Sequence, residues 1–489
     1  MEPAVHPAGQ AEVVRRAGRG FLETYRSPLG TLPVVHVAGE PEDIGRQYGA
    51  LLGGTVHSIV RLLLDLFKDG GMPEHLIHRL LDACWERMAP HVPARFLTEM
   101  QGIAAGARSA GHHLSEQDVR RVMTMTNLDL YMREARIPEL LGMAPGSFTG
   151  GPDQPPLQCT MFALWGSRTV DGKLFALRNL DWISQSGMHH QRLVSVYHPE
   201  GRHAFVSMGY AGVIGALAGM NDAGISLSQV GTFSVSEELD GEPWAFMARR
   251  VLEEAGTLEE AVPIAEKARH TIGYNFLIAD GDPENFGAEA FNPRAAALET
   301  NHECCETFYE NDPKEHHAAW ADDEGETHAY GTPLKEAIIR ADTAFGPSTR
   351  ALQAADNGPG VPGQNGNPYG EDGNGTTYTE CHLPMYEMIR AYETGAEYVF
   401  PVRNTKVIEA GAPRKIGVGE ALNIAATVAH NTEKLPENDW NVMSVVYAPT
   451  DGLFWVGYEH EDEAGNWKNA PDAGYWRFDL AELFARKPG

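Results

Sequence analysis

The chain has 489 residues, with 67 acidic against 39 basic side chains and a formal net charge of −28. Nucleic acid needs a basic surface to neutralise its phosphates, so this balance excludes it as a partner and argues against an anionic membrane. Hydrophobic residues at 43% exclude global disorder, and five cysteines without a Cys-x-x-Cys pair exclude a disulfide framework or zinc ribbon while leaving room for one reactive thiol.

The opening MEPAVHPAGQAEVVRRAGRG lacks the apolar core of a signal peptide. The apolar run 211–220 is glycine-broken and far short of the ~20 residues that span a bilayer, so the expectation is a cytoplasmic chain with no membrane span. From about residue 41 to 132 the pattern is helical: Ile44, Tyr48, Leu51 and Leu52 form one stripe, and Leu76, Leu80, Leu81 and Cys84 a second. Ser115 with Asp118 has the spacing of a capping box. A Gly/Pro-rich stretch, residues 141–158, then breaks the helical block. Residues 1–158 are accordingly read as a helical segment ending in a linker.

Short apolar runs follow at 160–168, 174–182, 192–198, 204–209 and 225–230, separated by turn signals such as Asp171-Gly172. Helices are expected near 243–255 and 258–267, strands at 274–279 and 287–291, a helix near 419–430, and a hairpin at 442–447 and 453–458. This order predicts an α+β fold of two antiparallel sheets with helices packed outside them, spanning 159–489 with a polar insertion near 304–376. Within that insertion, residues 355–376 lack the calcium-loop spacing and read as a surface loop.

Cys159 stands where the linker ends and the first strand begins. A free cysteine is more often a small buried hydrophobe than a nucleophile, so position alone does not decide its role. The string CTMFALWGSRTVDGKLFALRNLDW, Cys159 to Trp182, adds a turn at Asp171-Gly172 and a closing Arg178-Asn179-Leu180-Asp181. It resembles the N-terminal nucleophile (Ntn) hydrolases of the penicillin acyltransferase type, with choloylglycine hydrolases, penicillin V acylases and acid-ceramidase-like amidases as wider relatives. GMNDAGISLSQV, GYNFLIADG and Thr300-Asn301-His302 extend the resemblance, and EMQGIAAGARSAG resembles the pro-region of the acyltransferase branch.

The resemblance implies an Ntn αββα sandwich and self-cleavage between Gln158 and Cys159. The precursor would yield an alpha chain of residues 1–158 and a beta chain beginning at Cys159. It implies an amidohydrolase or acyltransferase working on a small N-acyl substrate through an acyl-Cys159 thioester, without cofactor or metal. Asp181 would orient the new α-amino group, Arg178 would hold the thiol, and Asn275 would bind the oxyanion. Bile-salt relatives carry a second oxyanion asparagine where this chain reads Val230-Gly231-Thr232, leaving a backbone amide or Gln229. Arg294, Arg350 and Arg403 all stay open for the family's downstream arginine.

An ideal hairpin does not assemble this site. A two-residue turn at Asp171-Gly172 sets Asp181 opposite Phe162 and leaves Arg178 ~20 Å along the strand from Cys159, so a bulge, a longer turn or a bend is expected. His302, Cys304 and Cys305 are a poor metal set because adjacent cysteines rarely reach one ion together. His189-His190 and His316-His317 read as surface pairs. Trp165, Trp182, Phe233, Trp244 and Phe246 are candidates for an acyl pocket. Two other readings stand beside the enzyme: a non-catalytic binding protein on the same fold, and an unprocessed hydrolase pairing Cys159 with a histidine such as His302.

Overall fold

The computed structural model describes the chain apart from residues 1–2, 10, 70–71, 129–139, 143–158, 183, 233, 290, 318, 322–326, 330, 332, 354–381, 402, 430–440, 463 and 489. Gln158, Phe233 and the 355–376 segment lie outside the described residues.

Strands come first. Val5–Pro7 (β1), Ala11–Ala17 (β2), Gly20–Ser27 (β3) and Gly30–Gly39 (β4) precede any helix, which corrects the reading of 1–158 as wholly helical. The physical cause lies in LPVVHV, whose Leu32, Val34, Val35 and Val37 are fully buried, β-branched for the most part, and too short a run to compete as a helix. The helical expectation holds from Pro41 on. Pro41–Asp69 (α1), Glu74–Met88 (α2), Ala94–Ser109 (α3) and Glu116–Met125 (α4) bury the two stripes named above. Ser115 caps α4 with a reciprocal Asp118 bond, a complete capping box. The stretch Pro41–Leu66 of α1 is long and apolar enough by composition to cross a membrane, and half of its most apolar window is buried inside the protein.

The second half supplies most of two large sheets. Thr160–Leu164 (β5) and Phe175–Asp181 (β6) lie in a seven-stranded sheet, together with Ala337–Arg340, Asn441–Ala448, Leu453–Tyr458, Tyr475–Asp479 and β1. Arg192–Pro199 (β7), Phe205–Tyr210 (β8), Ala218–Asn221 (β9), Ile225–Gly231 (β10), Tyr274–Asp280 (β11), Arg294–Thr300 (β12) and Cys305–Phe308 (β13) form a ten-stranded sheet with β2, β3 and β4. Pairing is antiparallel within both, except where β1 meets Tyr475–Asp479 and β4 meets β7. The strand expected at 287–291 does not form among its described residues: a turn tied by Asp282 and Asn285 leads into residues 287–289, and β12 starts at Arg294 instead.

Period-two alternation sorts the side chains of β5 into two cores. Cys159, Met161 and Ala163 face the core shared with the ten-stranded sheet and α1–α4. Phe162 and Leu164 face a second core beneath the helices Leu383–Thr394 and Val418–Val428. The result is a layered α+β architecture, with the two sheets between outer helices, as expected from sequence.

Candidate active site around Cys159

The β5–β6 connection is not a two-residue turn. Two short helical turns, Gly166–Arg168 and Val170–Gly172, fill it, and Asp171 adopts φ 57°. The pairing therefore sets Thr160 against Asn179, Met161 against Arg178 and Phe162 against Leu177. This is the longer turn that the hairpin geometry required. The register between Asn441–Ala448 and β6 also shifts beside Asp181, between Asn441 and Met443, which places a bulge in the Asn441–Ala448 strand next to the end of β6.

The Cys159 sulfur lies 3.9 Å from the carbonyl oxygen of Asp181, and its residue is 2% exposed. Burial pushes the thiol up to about 12; Arg178 is the main influence in the opposite direction, while Asp342 and Asp181 add to the rise. In the uncut chain burial thus favours the neutral thiol over the thiolate. Arg178 is fully buried, donates to the Asn179 carbonyl, and has an Nε with no partner among the described residues.

The carboxylate on the Cys159 nitrogen is Asp342. Its Oδ1 and Oδ2 accept from the backbone N–H at 3.1 and 3.3 Å. Sequence reasoning gave that position to Asp181, whose carboxylate instead accepts from Asn441 Nδ2 at 2.7 Å. Asp342 follows Ala337–Arg340, the strand that pairs with the other edge of β5, where Arg340 meets Met161. Arg340 is fixed between Glu299 at 3.0 Å and Glu315 at 2.7 Å. No local pattern marks Asp342; the signal is a pairing between segments remote in sequence.

Asn275 is fully buried on β11, but its Nδ2 donates to Ala341 O at 2.9 Å and Thr343 O at 3.4 Å. It thus brackets Asp342 and presents no free amide N–H to the thiol. Among the downstream arginines, Arg294 pairs with Glu259 and with Asp280 at 3.5 Å, and Arg350 donates to Phe345 O at 3.0 Å. Arg403 is exposed.

Cys159 and Arg178 open onto an apolar cavity of about 80 Å³. α1 and α4 supply Ile59, Leu63, Val122 and Met125 to its wall, and Trp182, Trp244 and Tyr274 supply aromatic surface. Two of the expected pocket aromatics are therefore in place. Phe246 instead stacks on Phe96 at 4.8 Å within the core, and Trp165 lines a different depression beside Arg294.

No histidine lines this cavity among the described residues. His302 is tied to the His270 carbonyl at 2.9 Å, and the Cys304 thiol donates to Asn301 Oδ1 at 3.5 Å. Among the described residues no group of three or more His, Cys, Asp and Glu is arranged around a common metal position. His189 departs from the surface reading: it is 7% exposed, packs edge-on against Trp467 at 4.9 Å, and burial lowers its pKa to about 4.

Residues 167–315 match the family model described as acyl-coenzyme A:6-aminopenicillanic acid acyl-transferase. The match begins downstream of Cys159, includes Arg178, Asp181 and Asn275, and overlaps the stretch where the sequence resemblance is strongest. An uncharacterized protein of Archaeoglobus fulgidus is 27% identical over 288 residues, covering 57% of this chain and 46% of that protein. Protein dcd1A of Dictyostelium discoideum is 26% identical over 284 residues, covering 51% and 56%. The chain spans about half the length of the curated relatives it matches. Similar solved structures include a Caenorhabditis elegans N-acylethanolamine-hydrolyzing acid amidase ortholog, at 13% identity and TM-score 0.37, covering 65% of this chain and 100% of that one. A conjugated bile acid hydrolase from Clostridium perfringens follows at 14% and 0.35, covering 66% and 97%. Penicillin V acylase from Agrobacterium tumefaciens stands at 14% and 0.32, covering 65% and 88%.

Proposed function

We propose, from the premise that residues 167–315 carry an acyltransferase-family domain, that the chain is a self-processing amide hydrolase or acyltransferase whose nucleophile is Cys159. The observation that carries this reading is one juxtaposition: a thiol on the wall of an apolar cavity, with a carboxylate already bonded to the nitrogen of the same residue.

In the precursor, the Cys159 sulfur attacks the carbonyl carbon of Gln158. The C–N bond to the Cys159 nitrogen breaks, and that nitrogen takes up the thiol proton. Water then hydrolyses the thioester, freeing the Gln158 carboxyl group and the Cys159 thiol beside the amine already released. A free α-amine has an ordinary pKa of ~7.7–8.0, close enough to neutrality to accept the thiol proton that burial otherwise retains. Asp342 holds the resulting ammonium, and Arg178 stabilises the thiolate. The thiolate attacks the substrate's acyl carbon, the ammonium returns a proton to the leaving amine, and an acyl-Cys159 thioester forms. Water closes the cycle as hydrolysis; a second amine closes it as transfer.

Asn275 acts in this account by holding the Asp342 segment in place. The unprocessed Cys/His reading has less support, because His302 is occupied elsewhere and no histidine lines the cavity among the described residues. The test is a panel of N-acyl amides, quenched in acid and analysed by peptide mass. An acyl adduct on Cys159 is expected for at least one member; turnover with the adduct on another residue, or on none, overturns the assignment.

A further inference from the structure

Gln229 is 3% exposed and lines the same cavity as Cys159. It lies on β10 opposite Phe276, two positions before Gly231, so alternation puts both residues on the cavity face. Its Oε1 is buried without a hydrogen-bond partner among the described residues. Most of the wall is hydrocarbon and ring, from Leu180, Trp182, Val213, Leu217, Trp244 and Tyr274, and its other polar side chains include Thr126 and Tyr210. A leucine or methionine of similar size would fill this place without the desolvation penalty of an orphaned carbonyl oxygen. Two further orphaned polar atoms belong to residues of the cavity wall and have the opposite sense: Arg178 Nε and Trp182 Nε1 are buried donors without a partner among the described residues. A plain alkyl or aryl chain beyond the scissile amide satisfies none of the three. A hydroxyl group or an amide N–H satisfies Gln229, and a hydroxyl or carbonyl oxygen satisfies Arg178 or Trp182.

We infer that the acyl half of the substrate is not a simple hydrocarbon chain but carries a hydroxyl or amide group, which Gln229 recognises from the cavity wall. This rests on the proposal that the cavity is the acyl site of a Cys159 enzyme, and it names the acyl class that the site selects. Gln229 is a specificity residue in this account, not the donor to the reacting carbonyl.

The experiment compares kcat/KM for matched p-nitroanilides: a plain hexanoyl group against its 2-, 3- and 4-hydroxy and 2-acetamido analogues. Wild-type and Gln229→Leu proteins are assayed side by side, and the acyl adduct is mapped by mass. The wild type is expected to favour at least one functionalised acyl group by about 10-fold or more, since a site built around a hydrogen bond rejects the analogue lacking it. Gln229→Leu is expected to lose that preference, its kcat/KM for the favoured analogue falling about 10-fold to the level of the plain chain. Gln229→Met serves as the second variant should the branched side chain prevent folding.

Equal wild-type rates across the series, with the adduct on Cys159, overturn the inference and leave the Cys159 reading intact. An equal loss on plain and functionalised substrates in Gln229→Leu overturns it too, because that pattern belongs to a donor acting on the reacting carbonyl. Turnover without an adduct on Cys159 takes both down.

Discussion

At the scale of single residues, Cys159 has a carboxylate on its nitrogen and a cation near its sulfur, and each makes a separable contribution. In the proposed mechanism the Asp342 carboxylate would raise the pKa of the freed α-amine by favouring its charged form, and would fix that amine's direction. With the neutral amine as base, the rate would climb as pH rises through the amine's pKa. Asp342→Asn is expected to move this acidic limb of kcat/KM to lower pH while reducing kcat about 10–100-fold, the cost of one charge-assisted hydrogen bond. An unchanged pH profile would show that Asp342 plays only a structural part. Cys159, Arg178 and Asp181 were legible in the sequence because one short string holds them all. Asp342 was not, because its place beside Cys159 depends on strand pairing between segments remote in sequence. Asn275 was found but its bonding was not: a strand asparagine reads the same whether its amide meets a substrate or a neighbouring loop.

Among elements, two devices shape the walls of the site. The first is the close approach of α1 and α3. A Cβ added at Gly49 would stand 1.9 Å from the Ile103 carbonyl oxygen, and one at Gly106 would stand 2.1 Å from the Arg46 carbonyl oxygen. Gly49→Ala must push these helices apart, and a loss of about 1–3 kcal/mol is expected in denaturant unfolding, as for other overpacked cores. The second is the turn after β6, which Glu459 holds. Its Oε2 accepts from Ser184 Oγ at 2.8 Å and the Gln185 N–H at 3.2 Å, while burial raises its pKa to about 7.

An unfolded glutamate ionises near 4.5, so between roughly pH 4.5 and 7 the folded state holds the extra proton. Stability contributed by this group is complete below that window and is lost as pH rises through it. Glu459→Gln should therefore raise thermal stability at pH 8, by about 3 kcal/mol at most, and change little at pH 4. A variant less stable at pH 8 than the wild type would contradict this. The hairpin of β5 and β6 was predicted from its turn signal, yet its register was not, since Asp171-Gly172 closes only the second of two short helical turns.

For the molecule as a whole, the segment before Cys159 is part of the structure that the site requires. β2–β4 complete the ten-stranded sheet, and α1 and α4 supply one side of the cavity. Arg249 on the helix Trp244–Glu254 makes a bidentate pair with Glu99 of α3, at 2.9 and 2.7 Å, and a further bond to Glu253 at 2.7 Å. All three side chains are buried. Replacing Arg249 by Leu strands Glu99 in the core and leaves Glu253 with Arg95 at 3.1 Å; it is expected to cost about 3–5 kcal/mol in equilibrium unfolding. Cleavage before Cys159 should likewise leave both pieces bound, co-eluting natively and separating only in denaturant. The α+β class and the helices of the first half were readable from periodicity. The four leading strands were not: β1 and one edge of β4 pair with strands far along the chain, and β2, though it pairs with neighbouring β3, is mostly polar and exposed.

The central claim is that Cys159 becomes the catalytic N-terminus by its own chemistry. Intact-mass analysis of purified wild-type and Cys159→Ala proteins tests it most directly. Two polypeptides from the wild type, one beginning at Cys159, and one uncut chain from Cys159→Ala are predicted; an active, uncut wild type, or a Cys159→Ala protein cut at the same bond, would contradict the account.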